Sequence, residues 1–115
     1  MEARMKREIK FRGKNNGKFV YGSLQVRPNG DCFIIFEVDQ TIHELQVAPE
    51  TVGQYTGLLD KNGVEIYEGD KVEGLDFENH IVVEGVFFDS VQWHPFAGQR
   101  ALRNVEVIGN IHEEG

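Results

Sequence analysis

Apolar and polar residues alternate along this chain in short runs, and no run holds a 3.6-residue period for three turns. A period of two is the mark of strands that cover one face. Residues 7–13 predict a first strand, with Ile9 and Phe11 on one face and Glu8, Lys10 and Arg12 on the other. Asn15-Asn16-Gly17 follows, a hairpin signal because Asn and Gly accept the positive φ of a type I′ turn. The return strand, residues 18–26, turns Phe19 and Tyr21 one way and Val20 the other. After the turn Arg27-Pro28-Asn29-Gly30-Asp31, residues 32–38 form an apolar run of strand length, rich enough in Phe and Ile to be buried on both faces. Residues 41–47 alternate again, with Ile42 and Leu45 the expected inward side chains.

Ala48-Pro49-Glu50-Thr51-Val52 predicts a short helical turn, with Pro at its start and Gly53 behind it. Further strands are expected at 54–58, 64–67, 70–75, 81–88, 91–94 and 105–111. The block from Thr51 to Val72 is the most informative: Asp60-Lys61-Asn62-Gly63 is a turn between two short strands, and Glu68-Gly69-Asp70 launches the next. The predicted class is all-β, with at most short helical turns. The Gly69-Asp70-Lys71-Val72 step and the later strand with Gly85 at its centre suggest a small SH3-like barrel, Gly85 permitting the bend that closes it. The expected layout is an N-terminal meander over residues 7–47 packed on an SH3-like barrel over 48–112, within one compact unit.

Composition narrows the chemistry. A chain of 115 residues can bury enough surface to fold without a staple. Cys32 is the single cysteine, which rules out an intrachain disulfide and a Cys-rich metal site. Among Phe33, Ile34, Ile35 and Phe36 it reads as a small buried hydrophobe. The N-terminus has no apolar signal-peptide core and no stretch reaches membrane-span length, so a soluble protein of a reducing cytoplasm is expected, with no membrane partner. The net charge is −7, unevenly spread. The first eighteen residues carry Arg4, Lys6, Arg7, Lys10, Arg12, Lys14 and Lys18 against Glu2 and Glu8, a balance of +5, which leaves −12 on the rest. An acidic body repels a phosphate backbone, so nucleic acid is the less favoured partner. The basic patch Lys6, Lys10, Arg12, Lys14 and Lys18 is the one place that could touch phosphates or the acidic face of a second copy; a solvated hairpin face explains it as well.

No catalytic constellation stands out. His43, His80, His94 and His112 fall in none of the spacings that set two ligands on one element, and no metal or cofactor is expected. Asp60-Lys61-Asn62-Gly63-Val64-Glu65 departs from a calcium loop, since its Gly comes early and Lys71 stands at the closing position. Glu65, Glu68 and Asp70 cluster as paired carboxylates would, but turn geometry accounts for Gly69-Asp70. Ser23 and Ser90 sit in no nucleophile elbow. The candidate interaction residues are the aromatics with polar handles: Trp93, His94 and Phe96 around Pro95, and Tyr67, with Tyr55 similar. The Trp93 cluster can plug one end of a barrel or present an interface hot spot.

The chain resembles the YopX family of phage and prophage proteins. The resemblance begins at Arg7-Glu8-Ile9-Lys10-Phe11-Arg12-Gly13-Lys14 and continues through Gly17-Lys18-Phe19-Val20-Tyr21-Gly22-Ser23-Leu24, with Phe19 where the family usually has Trp. It resumes from Val47 to Leu58, runs through Asp60-Lys61-Asn62-Gly63 to Gly69-Asp70, and closes over Val105-Glu106-Val107-Ile108-Gly109-Asn110-Ile111-His112. Segments 30–46 and 73–104 match in pattern only, and Met1–Arg4 precede the family's usual start. The resemblance implies a small β protein with no assigned activity, cofactor or catalytic residue. The expectation is a non-catalytic accessory protein that contacts phage or host proteins and forms a homo-oligomer, the basic hairpin meeting an acidic surface of a neighbour. The alternative is a nucleic-acid-associated factor acting through that hairpin.

Overall fold

In the computed structural model, which describes residues 8–89, 92–97 and 101–112, turns with enforced geometry set the frame. Asn16 and Gly17 take φ of +53° and +79°, the left-handed pair that a two-residue hairpin needs. Their turn pairs Asn15 with Lys18, and so fixes β1 (Phe11–Asn15) against β2 (Lys18–Val26). The first strand thus runs to Asn15 and begins only at Phe11, later than the alternation suggested; Arg7 lies outside the described residues. Ile9, which the alternation sets on the face of Phe11, precedes the strand and is 69% exposed. β3 (Cys32–Val38) and β4 (Thr41–Val47) follow with the bounds the sequence predicts, and Pro49–Thr51 forms one 3-10 turn before β5 (Gly53–Leu59).

The chain divides into two units, the first ending at Gly57 and the second beginning at Leu58. In the first unit the strands lie in the order β4-β3-β2-β1-β5. Cys32, Ile34 and Val47 form its buried core, with Phe11, Val20, Leu24, Phe36 and Val52 packed around them. The β3–β4 register sets Leu45 opposite Ile34 and Val47 opposite Cys32. Because side chains alternate, Ile42 must then face away from Leu45, and it is 66% exposed rather than inward as expected. Gly22 shows how closely β2 and β3 approach: a Cβ there would sit 2.2 Å from the Ile35 carbonyl oxygen.

β5 runs past Gly57 into the second unit, and β6 (Glu65–Tyr67) neighbours it in the strand order. β7 (Asp70–Leu75) is the centre of a three-stranded antiparallel sheet, with β8 (Ile81–Gly85) on one side and β11 (Arg103–Asn110) on the other. β9 (Phe87–Phe88) and β10 (Trp93–His94) pair as a separate small hairpin. The strand expected over 81–88 is therefore broken at Val86, whose N–H donates to the Asp70 carbonyl while its own carbonyl accepts from Gly69. Val91 lies outside the described residues. Ile66, Val72 and Val86 are the buried core here, with Trp93, Phe96, Val105 and Val107 against them. Among the described residues the protein is all-β with one 3-10 turn, and its sheets are open-ended rather than closed into a barrel.

Candidate functional site

Two carboxylates of the signature block, Asp60 and Asp70, accept backbone N–H groups of their own unit. Asp60 is buried, and its Oδ1 accepts the N–H groups of Asn62 at 2.8 Å and Val64 at 2.9 Å. Its Oδ2 accepts the N–H of Val107 at 2.9 Å, which ties the 60–64 turn to β11. Burial acts to raise the carboxyl pKa, but the three backbone donors, with Lys61 alongside, outweigh it and hold Asp60 below its ordinary value of 3.8. Asp70 Oδ2 accepts the Tyr67 N–H at 2.8 Å, and Glu65 Oε1 accepts the Tyr67 hydroxyl at 3.0 Å. These contacts brace a tight strand-turn-strand step. The Tyr67 ring is itself interior, so it contributes packing here and no surface.

The other aromatics gather at the β9–β10 hairpin. Trp93 and Phe96 are half-buried against the second core, and Trp93 meets Phe88 with ring centroids 4.9 Å apart. His94 stacks on Phe87 at 4.8 Å, and its Nε2 lies 2.7 Å from Asp89 Oδ2. Asp89 Oδ1 in turn accepts the Gln92 N–H at 2.9 Å. Trp93 and His94 thus act as backing for Phe87 and Phe88, which are exposed. Phe77, Ile81 and Val83 add three more exposed apolar side chains from the preceding turn and β8. The sequence pattern reads 81–88 as one strand and does not separate these exposed positions from the buried Val86.

Among the described residues, the second unit carries open hollows. One, of about 390 Å³, is lined by Leu58, Ile66, Phe96, Leu102 and Val105 together with Asp60, whose carboxylate is already spent on backbone donors. Another, of about 380 Å³, is lined by Asp76, Phe77, Val82, Glu84 and Leu102. Lys61 and Asn104 add polar groups to the rim of the first, and Asp76 and Glu84 to the second.

The basic patch is only partly a surface. Lys6 lies outside the described residues. Arg12 is buried, with its guanidinium carbon 4.0 Å from the Phe19 ring centroid; Lys14 Nζ lies 5.2 Å from the same ring. Lys10 sits 3.5 Å from Glu8 and 5.4 Å from the Tyr55 centroid. Lys18, paired with Asn15, belongs to the opposite face of the hairpin from Lys14, which pairs with Phe19. Arg12 was expected outward with Glu8 and Lys10. Arg12 pairs with Tyr21, and its cation–π contact with Phe19, diagonal to it on β2, partly replaces the hydration it gives up.

Of the histidines, His43 stacks on Phe36 at 5.4 Å, and the His112 N–H donates to Asn110. His80 joins Asp76 and Glu78 in the β7–β8 turn, where one ligand atom from each lies within 4.8 Å of the others. Spacing alone could not find this cluster, because the turn creates it. Its carboxylate has local duties: Asp76 Oδ1 accepts the N–H groups of Glu78 and His80, the His80 bond being the foremost reason its pKa is lowered. Arg103 donates to the Asp76 carbonyl and to the Asn79 side chain, adding a positive charge to the same turn. The cluster is accounted for as a braced turn.

Among the described residues no helix is long and apolar enough to cross a membrane. No curated protein and no solved structure matches the chain. The family model described as YopX protein matches residues 10–115, nearly the whole length, and the chain belongs to the YopX family.

Proposed function

We propose that this protein is a non-catalytic, phage-type accessory protein that works in the bacterial cytoplasm by binding other protein chains. The observation that carries the reading is a set of exposed apolar side chains in the second unit, Phe77, Ile81 and Val83 along the β8 edge and its turn, and Phe87 and Phe88 on the β9–β10 hairpin. Scattered exposed apolar residues need no explanation, but a run along one edge and its adjoining hairpin is the usual mark of a contact surface. The second unit holds twelve acidic and four basic residues over 58–115, a net −8, so the strip lies in an acidic setting. Such a surface favours a partner that is apolar at the centre of the contact, and an acidic partner must supply compensating pairs at the rim.

The nucleic-acid reading has less to stand on than the sequence suggests. Of its five cations, Arg12 is buried on Phe19, Lys14 leans to the same ring and Lys10 to Glu8 and Tyr55. Titration of labelled single- and double-stranded DNA and RNA at about 50 and 200 mM salt separates the two readings. Weak binding that differs little between polymers supports the protein-binding role. Submicromolar binding that falls steeply with salt overturns it in favour of a phosphate-contacting factor.

A further inference from the structure

β8 is the edge of the three-stranded sheet, and among the described residues no strand pairs with its outer side. The Val86 N–H donates to the Asp70 carbonyl, and the Asp76 N–H to the His80 carbonyl. With the β7–β8 register, these two bonds show that His80, Val82, Glu84 and Val86 direct their backbone groups at β7. The N–H and C=O groups of Ile81, Val83 and Gly85 therefore face the open edge. The side chains of Ile81 and Val83 stand on the face opposite the buried Val72 and Gly74, and are 72% and 53% exposed. Such an edge is a template for another strand, and here it carries no lysine, proline or bulge to discourage one.

We infer that the strand which completes this edge is β8 of a second copy, antiparallel, with the twofold axis at Val82. The strand's own sequence selects that occupant. In this register Ile81 lies opposite Val83 of the partner and Val83 opposite its Ile81, and these are the residues whose backbone groups face outward. His80 comes opposite Glu84 of the partner, twice by symmetry. The same axis carries the turn holding Phe77, 74% exposed, toward the end of the strand from which the partner's Phe87 emerges. Sliding the axis to Val83 keeps the backbone bonds but sets Val82 against Glu84 and Ile81 against Gly85, which loses both matches. Only the Val82-centred register puts apolar on apolar and imidazole on carboxylate.

This inference rests on the protein-binding reading and names one partner for it. Two five-residue strands make a small interface, so association in the micromolar range is expected rather than an obligate dimer. Sedimentation equilibrium on the full chain at tens of micromolar tests it. The expected mass is twice the 13.1 kDa of one chain. Val83→Lys sets two ammonium groups opposite Ile81 and returns the mass to one chain, whereas Ile9→Lys, at an exposed site in the other unit, does not.

Cross-linking reads the register even if Val83→Lys folds poorly. Val82 would face itself in a non-hydrogen-bonded pair with Cα atoms about 4.5 Å apart, within disulfide reach, while two Val83 Cα atoms would be about 8 Å apart and beyond it. Under mild oxidation Val82→Cys should form a covalent dimer and Val83→Cys should not, and the wild type, whose one cysteine is buried, serves as background. A monomer at every concentration, a dimer indifferent to Val83→Lys, or cross-linking through position 83 instead of 82 each overturns the proposal. A monomer would leave the protein-binding reading standing, since that reading falls only on the nucleic-acid titration.

Discussion

Replacing Asp60 with Asn changes one atom and should cost the second unit a large part of its stability. The carboxylate accepts three backbone N–H groups, two on Oδ1 and one on Oδ2. An amide whose oxygen stays with Asn62 and Val64 turns its NH2 on the Val107 N–H, donor facing donor. Rotating the amide makes matters worse, because two N–H groups then meet the nitrogen. A hydrogen bond to a charged group contributes about 1.5–3 kcal/mol, so Asp60→Asn should lose about 2–3 kcal/mol and Asp60→Ala, which abandons all three donors, about 3–5. For a domain of this size each kcal/mol moves Tm by about 4–8 °C. Urea unfolding at several pH values gives the second half of the test. The folded pKa of Asp60 lies below its ordinary 3.8, so its contribution is fully present above that value and fades as pH falls through the lower, folded one. The stability gap between wild type and Asp60→Asn should therefore be flat from pH 5 to 8 and narrow below about pH 4. A substitution that costs less than about 0.5 kcal/mol, the ordinary scatter of surface changes, would refute the account, as would a gap unchanged at pH 3.

Three further predictions probe the first unit. Gly22→Ala drives a Cβ into the Ile35 carbonyl oxygen and should cost about 2–4 kcal/mol, while Gly17→Ala meets no atom within 4 Å and should lose only about 1 kcal/mol through its positive φ; paired thermal melts separate the two. Ile34→Ala empties the centre of the core and should cost about 2–5 kcal/mol, whereas Ile42→Ala, on the exposed face of β4, should stay within about 0.5 kcal/mol in urea titration. The Cys32 thiol, buried beside Ile34 and Val47, should react with a thiol reagent only as fast as the unit opens, and at once in denaturant.

What could be read from the chain is what local chemistry dictates. The Asn16-Gly17 turn, the 27–31 turn and the Gly69 step are marked by residues chosen for their φ or their side-chain bonds, so β2, β3 and β7 begin where the sequence says they should. What escaped depends on a partner far along the chain. Arg12 turns inward because β2 places Phe19 beside it, and Ile42 turns outward because β3 sets the register of β4. Asp60 reaches Val107 across forty-seven residues. The apolar run 81–88 conceals two fates: Val86 is drawn to Asp70 and breaks the strand, which leaves Ile81 and Val83 on one exposed edge and Phe87 and Phe88 on another. Hydrophobicity alone does not distinguish a covered strand from an edge strand. Strand order does.

The residues that make the family recognisable are, in this structure, committed to holding it together. Thr51 Oγ1 accepts the Lys14 N–H at 2.8 Å and its hydroxyl donates to the Ala48 carbonyl at 2.6 Å, joining the 3-10 turn to β1. Asp60 binds its own turn to β11, Gly69 takes the left-handed conformation that reverses the chain, and Asp70 caps Tyr67. Thr51, Asp60 and Asp70 thus spend side-chain oxygens on backbone groups of their own unit. The exposed apolar strip lies instead within residues 73–104, where the resemblance is one of pattern alone. On the proposed reading, the residues that mark the family and those that would meet a partner lie in different stretches of the chain. A change at Asp60 or Gly69 should act through stability, and one at Val83 or Phe88 through association with the fold intact.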